Sequence, residues 1–160
     1  MLREAQRLWA DARILRESRD AQSNGAYMIE LVAFEIALKC CVLLETSGLE
    51  KGHDYVRIFL CLNASTRQSL IAEAVNRMGP SANYSDPFGL LNLFSKNFSH
   101  TRYPYESYRS TMTEEEYVRL GVEWLDAGAK IEEAVFDLRP EELYGLTHAL
   151  TIHAQSRIDA

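Results

Sequence analysis

Proline and glycine are scarce in this chain, four and eight among 160 residues, and most of them fall between apolar segments rather than inside them. So little punctuation leaves room for long helices, and no segment has the alternating apolar pattern of a half-buried strand. Cysteine is scarcer still. Cys40, Cys41 and Cys61 are odd in number, sit among apolar neighbours and lack C-x-x-C or Cys/His ligand spacing, which predicts buried, reduced thiols. No apolar run reaches the roughly 20 residues needed to cross a bilayer, the longest being broken by Glu35 and Lys39. The first residues, with Arg3, Glu4 and Arg7, lack a signal peptide's apolar stretch and cleavage site. The expectation is a cytoplasmic protein with no membrane partner.

Several chemical signatures are missing too. G-x-x-x-x-G-K-[ST], G-x-G-x-x-G and G-x-S-x-G are absent, which excludes P-loop nucleotide cleavage and an elbow-serine hydrolase. Among the four histidines, His148 and His153 are an i,i+5 pair. That is not the H-E-x-x-H geometry, and no Glu-x-x-His repeat appears, so neither metal nor cofactor is expected.

The chain does contain ample core material. With 47% hydrophobic and 25% charged residues, it is long enough to bury one sizeable core without disulfides. We expect a single all-α domain over residues 1–160, a bundle of about five to seven helices. The net charge of −6 argues against a general nucleic-acid coat, since backbone binding relies on Lys and Arg. Its distribution is uneven: residues 96–109 hold three basic residues against one acidic, whereas 114–142 hold ten acidic against three basic.

Periodicity and capping signals place the helices. A first helix over 2–20 carries Leu8, Ala12 and Leu15 inward, with a break at Ser23-Asn24-Gly25. A second, 26–46, is apolar nearly all round and should be central, ending at Ser47-Gly48. Asp54 caps a short helix over 55–62, and Ser65-x-x-Gln68 reads as a capping box for one reaching 78. Gly79-Pro80 closes that helix. Asp86-Pro87 starts another that carries Phe88, Leu91, Phe94 and Phe98 and must stop before Pro104. Thr113-x-x-Glu116 opens a helix through Tyr117, Leu120, Trp124, Ile131, Val135 and Leu138, on whose stripe Gly121 and Gly128 suggest a tight helix contact. Pro140 starts a last helix, 140–157, as an addition to a core of about 5–138.

Two groups of residues carry chemistry. On the second helix, Glu35 and Lys39 at i,i+4 form either a surface ion pair or, on an otherwise apolar helix, a pair that lies against another helix or lines a cleft. His53-Asp54 is a helix start, with His53 able to face that same cleft. The stretch "KNFSHTRYPYE" (96–106) concentrates Lys96, Asn97, His100, Arg102, Tyr103, Tyr105 and Glu106. Arg102 can hold a phosphate or carboxylate bidentately, His100 can move a proton near neutral pH, and the tyrosines offer stacking faces. These residue types suit RNA. Alternatively, Arg102 caps the helix end, Glu106 pairs with it, and the tyrosines close the bundle.

Three segments resemble the HEPN family of small helical bundles found in bacterial toxin–antitoxin and phage-defence systems. "AFEIALKCCVLLETSG" (33–48) is similar to the family's central helix with its E-x-x-L-K core, "GHDYVRIFLCL" (52–62) to the start of its next helix, and "KNFSHTRYPYE" to the polar end of a later one. The resemblance implies a homodimer that binds RNA or a protein partner, such as an antitoxin or a nucleotidyltransferase-type protein. In active members it implies metal-independent RNA cleavage by an Arg and a His with four to six residues between them. Here Lys96 stands at the Arg position, Asn97 matches the polar residue that follows it, and three residues separate Lys96 from His100, so the motif is not intact and Lys lacks the Arg fork. The sequence therefore predicts a HEPN-like binding module. An endoribonuclease using His100 and Arg102, or a purely structural dimerisation domain, are the alternatives.

Overall fold

The computed structural model of the chain describes residues 1–18, 25–103, 109–130 and 137–160. Among these residues there are seven α-helices and no strand: α1 (Leu2–Ser18), α2 (Gly25–Thr46), α3 (Tyr55–Leu60), α4 (Ala64–Met78), α5 (Pro87–Arg102), α6 (Glu114–Asp126) and α7 (Pro140–Asp159), with a 3₁₀ turn at Gly79–Ser81. The all-α bundle expected from the sequence is what forms.

Helix α2 is central, packed between α1 and α7, while α4 lies against α7 and α3 against α5. Eleven of its side chains are buried, matching an apolar pattern that runs almost round the helix. At the core Phe34 meets Tyr55 and Phe94 edge to face, with centroids 5.3 and 5.6 Å away, a favoured aromatic geometry. Helix α1 buries Leu2, Ala5 and Ala12, with Leu8 and Leu15 only half-buried. Cys40 and Cys41 are buried and free, and burial pushes the Cys41 thiol up to about 12.

Caps explain most borders. The Asp54 carboxylate accepts from Arg57 N, Asp86 accepts from Gly89 N with Pro87 in the first turn, and Thr113 and Glu116 form the expected reciprocal box. Helix α4 departs from expectation by starting two residues earlier than Ser65-x-x-Gln68 suggests. Its cap is Asn63, which accepts from Thr66 N, while Ser65 Oγ donates to the Asn63 side chain. Glu45 at the end of α2 fixes Asn63 by accepting from its N–H and Nδ2 at 2.9 and 3.0 Å. That partner is far away in sequence.

Helix α6 also departs: it ends at Asp126 rather than running to 138. Gly128 adopts φ 96°, the Gly128 and Ala129 N–H groups return to Leu125 O and Trp124 O, and the Trp124 indole donates to Lys130 O. This is a Schellman end with glycine in the left-handed position. Leu138 lies outside any helix, and Ile131 and Val135 lie outside the described residues. Nor does Gly121 mark a tight contact, because a Cβ there meets nothing within 4 Å. Helix α6 buries no side chain, and Val118, Leu120, Val122 and Leu125 are exposed. Gly121→Ala should therefore strengthen α6 by about 1 kcal/mol, seen as slower amide exchange across 118–126; faster exchange would indicate a contact that the alanine disrupts.

Helix α7, expected as an addition to the core, is part of it. Leu143, Gly145, Leu146, Ala149, Leu150 and Ala154 are buried against α2 and α4. Its apolar face looks interrupted in sequence because Thr147 and Thr151 are buried as well, each satisfied by donating to the carbonyl four residues back.

Candidate functional site

The site begins with a carboxylate where a helix should not tolerate one. Glu35 lies in the apolar middle of α2 and is buried. Burial alone would raise its pKa, yet hydrogen bonds from His53, Lys39 and Tyr55 outweigh that and hold the carboxyl below its ordinary value of 4.5. Lys39 Nζ, one turn on, reaches Oε1 at 2.8 Å; His53 Nδ1 and the Tyr55 hydroxyl reach Oε2 at 2.7 and 3.0 Å. Glu35 and Lys39 thus form a mostly buried pair rather than a surface one, and neither is among the residues that line the α3–α5 cleft.

Helix α3 brings His53 to this carboxylate. The Tyr55 N–H, unpaired within its own helix, donates to Ser95 Oγ of α5 at 3.0 Å, which docks the start of α3 on α5. The His53 ring stacks on Phe98 of α5, centroids 4.6 Å apart and planes 25° apart. The imidazole is held along one edge by Glu35 and on one face by Phe98. Its side chain is still 49% exposed, so a held group remains open to a ligand. The contact with Glu35 also pushes the Tyr55 hydroxyl's pKa further up, after burial.

Between α3 and α5 runs a surface cleft of about 960 Å³. His53 and Val56 line one side. Phe88, Asn92, Ser95, Lys96, Ser99 and His100 line the other, at the three- and four-residue spacing that puts side chains on one helix face. Asp54 and Asp86 also border it, but both carboxylates serve as helix caps. Lys96 and Asp86 also border a second cleft of about 370 Å³ toward Asp137, Arg139 and Glu142.

The other sequence candidates lie elsewhere. Asn97 is buried, donating through Nδ2 to Asp137 O at 2.9 Å and to the Tyr27 hydroxyl at 3.3 Å. It ties α5 to α2 and to the segment before α7, and does not line the cleft. Burial pushes the Tyr27 hydroxyl up to about 12. Arg102 is exposed, with its guanidinium 5.4 Å from the Tyr103 ring centroid, and is not part of the cleft lining. Two residues after His100, it points about 200° further round the helix, so the sequence pair His100 and Arg102 is not brought to one surface. Tyr103 ends α5, its N–H returning to Ser99 O. Tyr105, Glu106 and Tyr108 lie outside the described residues.

Among the described residues, no three His, Cys, Asp or Glu side chains converge on a metal position, and no helix is long and apolar enough to cross a membrane. His148 stacks parallel to Tyr144 beside Trp9, and burial lowers its pKa. His153 sits 4.0 Å from Glu45.

Tyr55, Ser95 and Phe98 hold the site but drew no functional reading from the sequence. Tyr55 and Phe98 resemble any core aromatic, and Ser95 gains its role only once α3 docks. No family model, curated protein or solved structure matches the chain. The HEPN reading therefore rests on the three sequence segments alone.

Proposed function

We propose that the α3–α5 cleft binds the phosphate backbone of single-stranded RNA, in a HEPN-like module that works as a homodimer or with an antitoxin or nucleotidyltransferase-type partner in a bacterial toxin–antitoxin or phage-defence setting. The observation that carries this reading is the convergence of Lys96, His100 and a carboxylate-held His53 on one cleft of an otherwise acidic chain. Lys96 supplies a charge for a phosphate, the imidazoles supply polar contacts, and Phe88, 44% exposed, offers a face on which a base can stack. A net charge of −6 makes the binding modest in strength and sensitive to salt.

Fluorescence anisotropy with a labelled single-stranded RNA tests this. Lys96→Ala should weaken binding across sequences and reduce the slope of log affinity against log salt by about 1. Phe88→Ala should cost about 1 to 3 kcal/mol without changing that slope. Unchanged affinity in both variants would locate binding elsewhere or remove it.

Two imidazoles on one cleft also favour a second reading, metal-independent RNA cleavage, in which one accepts and the other delivers a proton. Here His100 matters and Arg102, around the helix, matters less. Cleavage of RNA in EDTA that His100→Ala abolishes and Arg102→Ala retains supports that reading; equal cleavage by wild type and His100→Ala removes it.

A further inference from the structure

We propose that Glu35 fixes His53 in the Nδ1–H tautomer, so that Nε2 meets the cleft as a hydrogen-bond acceptor for a ribose 2′-hydroxyl and the Glu35–His53 pair selects RNA over DNA. The ligand half of this rests on the RNA reading above; the tautomer half does not.

The tautomer follows from donor and acceptor accounting. Lys39 Nζ, 2.8 Å from Oε1, can only donate, and the Tyr55 hydroxyl, 3.0 Å from Oε2, donates as well. With these partners Glu35 is ionised, and a carboxylate accepts only. His53 Nδ1, 2.7 Å from Oε2, must therefore carry a proton. In the neutral ring the lone pair then lies on Nε2. Stacking on Phe98 restrains the ring from flipping, and half of the side chain is exposed along the cleft.

The other groups around His53 are differently committed. Lys39 and Lys96 are donors only. Ser95 Oγ accepts from Tyr55 N and donates to Leu91 O. Asp54 Oδ1 and Asp86 Oδ1 accept from the first turns of α3 and α5, and His100 lies across the cleft on α5. A ligand hydroxyl that approaches the Phe98-backed ring edge meets an acceptor held in place before binding. The 2′-hydroxyl is the donor that RNA has and DNA lacks.

Glu35→Gln makes a sharp test because Lys39 decides how the amide sits. Lys39 needs an oxygen, so the carbonyl takes the Oε1 position and the NH₂ takes the Oε2 position. There it donates to Nδ1 and forces the Nε2–H tautomer. Long-range ¹H–¹⁵N spectra at about pH 8, above the usual histidine range, with His53 assigned through His53→Gln, should show a protonated Nδ1 in wild type and the reverse in Glu35→Gln. A wild-type Nε2–H pattern overturns the inference, even if Glu35→Gln fails to fold; so does a Glu35→Gln spectrum identical to wild type.

Binding of matched RNA and DNA oligonucleotides of A and C then tests the ligand. Wild type should prefer RNA by about tenfold, the size of one well-made hydrogen bond. In His53→Ala the preference should collapse toward equality, while Lys96→Ala weakens both ligands alike. Equal wild-type affinities overturn the 2′-hydroxyl assignment. Binding of neither oligonucleotide, with the tautomer as expected, removes the RNA reading and leaves the Glu35–His53 geometry standing.

Discussion

Glu35→Ala is expected to cost about 3 kcal/mol of stability, which for a chain of this size lowers the melting temperature by roughly 6 to 12 °C. The loss comes mainly from what the alanine leaves behind. Lys39, with a side chain only 15% exposed, keeps its charge and loses its partner, and the fully buried Tyr55 loses the acceptor for its hydroxyl. Replacing Glu35, Lys39 and Tyr55 together by Leu, Met and Phe should recover most of the loss, because the one partner then left without its acceptor is the half-exposed His53, which water can reach. A triple variant no more stable than Glu35→Ala would mean that the carboxylate stabilises the bundle in some other way.

The same carboxylate predicts a pH dependence. Its folded-state pKa lies below the ordinary value of 4.5, so its ionised form favours folding above that value, and the contribution is lost as pH falls through the lower folded one. Urea titrations of wild type and Glu35→Gln should differ most near neutral pH and converge on acidification. A gap that widens in acid would contradict this assignment.

Gly145→Ala is the second large expected effect, a loss of about 2 kcal/mol. A Cβ at this position would overlap the Tyr84 hydroxyl and come within 2.7 Å of Met78 Cγ, while that hydroxyl is held by the Glu141 and Glu142 carbonyls at 3.3 Å. Helix α7 would have to lift from the Met78–Tyr84 turn, losing contacts along its small-residue face. Tyr84→Phe removes the nearest atom, so the double variant should be less destabilised than the two single costs add up to. Simple additivity would indicate that the strain lies at Met78.

Much of the bundle was legible in local signals. Asp54, Asp86-Pro87 and Thr113-x-x-Glu116 mark real helix starts because a cap needs only its own next few residues. Asn63 was not legible as the start of α4, since the Glu45 carboxylate that holds it arrives from another helix. Gly128 was legible and misjudged: a glycine on an apolar stripe can mean close packing or a left-handed stop, and only the backbone decides. The buried Thr147 and Thr151 made α7 look more peripheral than it is.

For the site, Glu35 and Lys39 stood out because charges are costly inside an apolar helix, with His53 a candidate beside them, and the structure joins His53 to Glu35 and adds Tyr55. Lys96 and His100 share one face at i,i+4, whereas Asn97 and Arg102, equally polar in sequence, point around the helix to a buried tie and an exposed ring. A polar cluster read along the chain divides according to the helix turn on which each member falls.

The measurement that bears most directly on the cleft as the ligand site is chemical-shift mapping of the ¹⁵N-labelled protein during titration with single-stranded RNA. The largest perturbations should fall on His53 to Val56 and on the α5 face carrying Asn92, Lys96, Ser99 and His100, with α6 and the Trp9–Tyr144–His148 cluster unchanged. Perturbations confined to α6 or to that aromatic cluster, or none at RNA concentrations that saturate other single-strand binders, would contradict it.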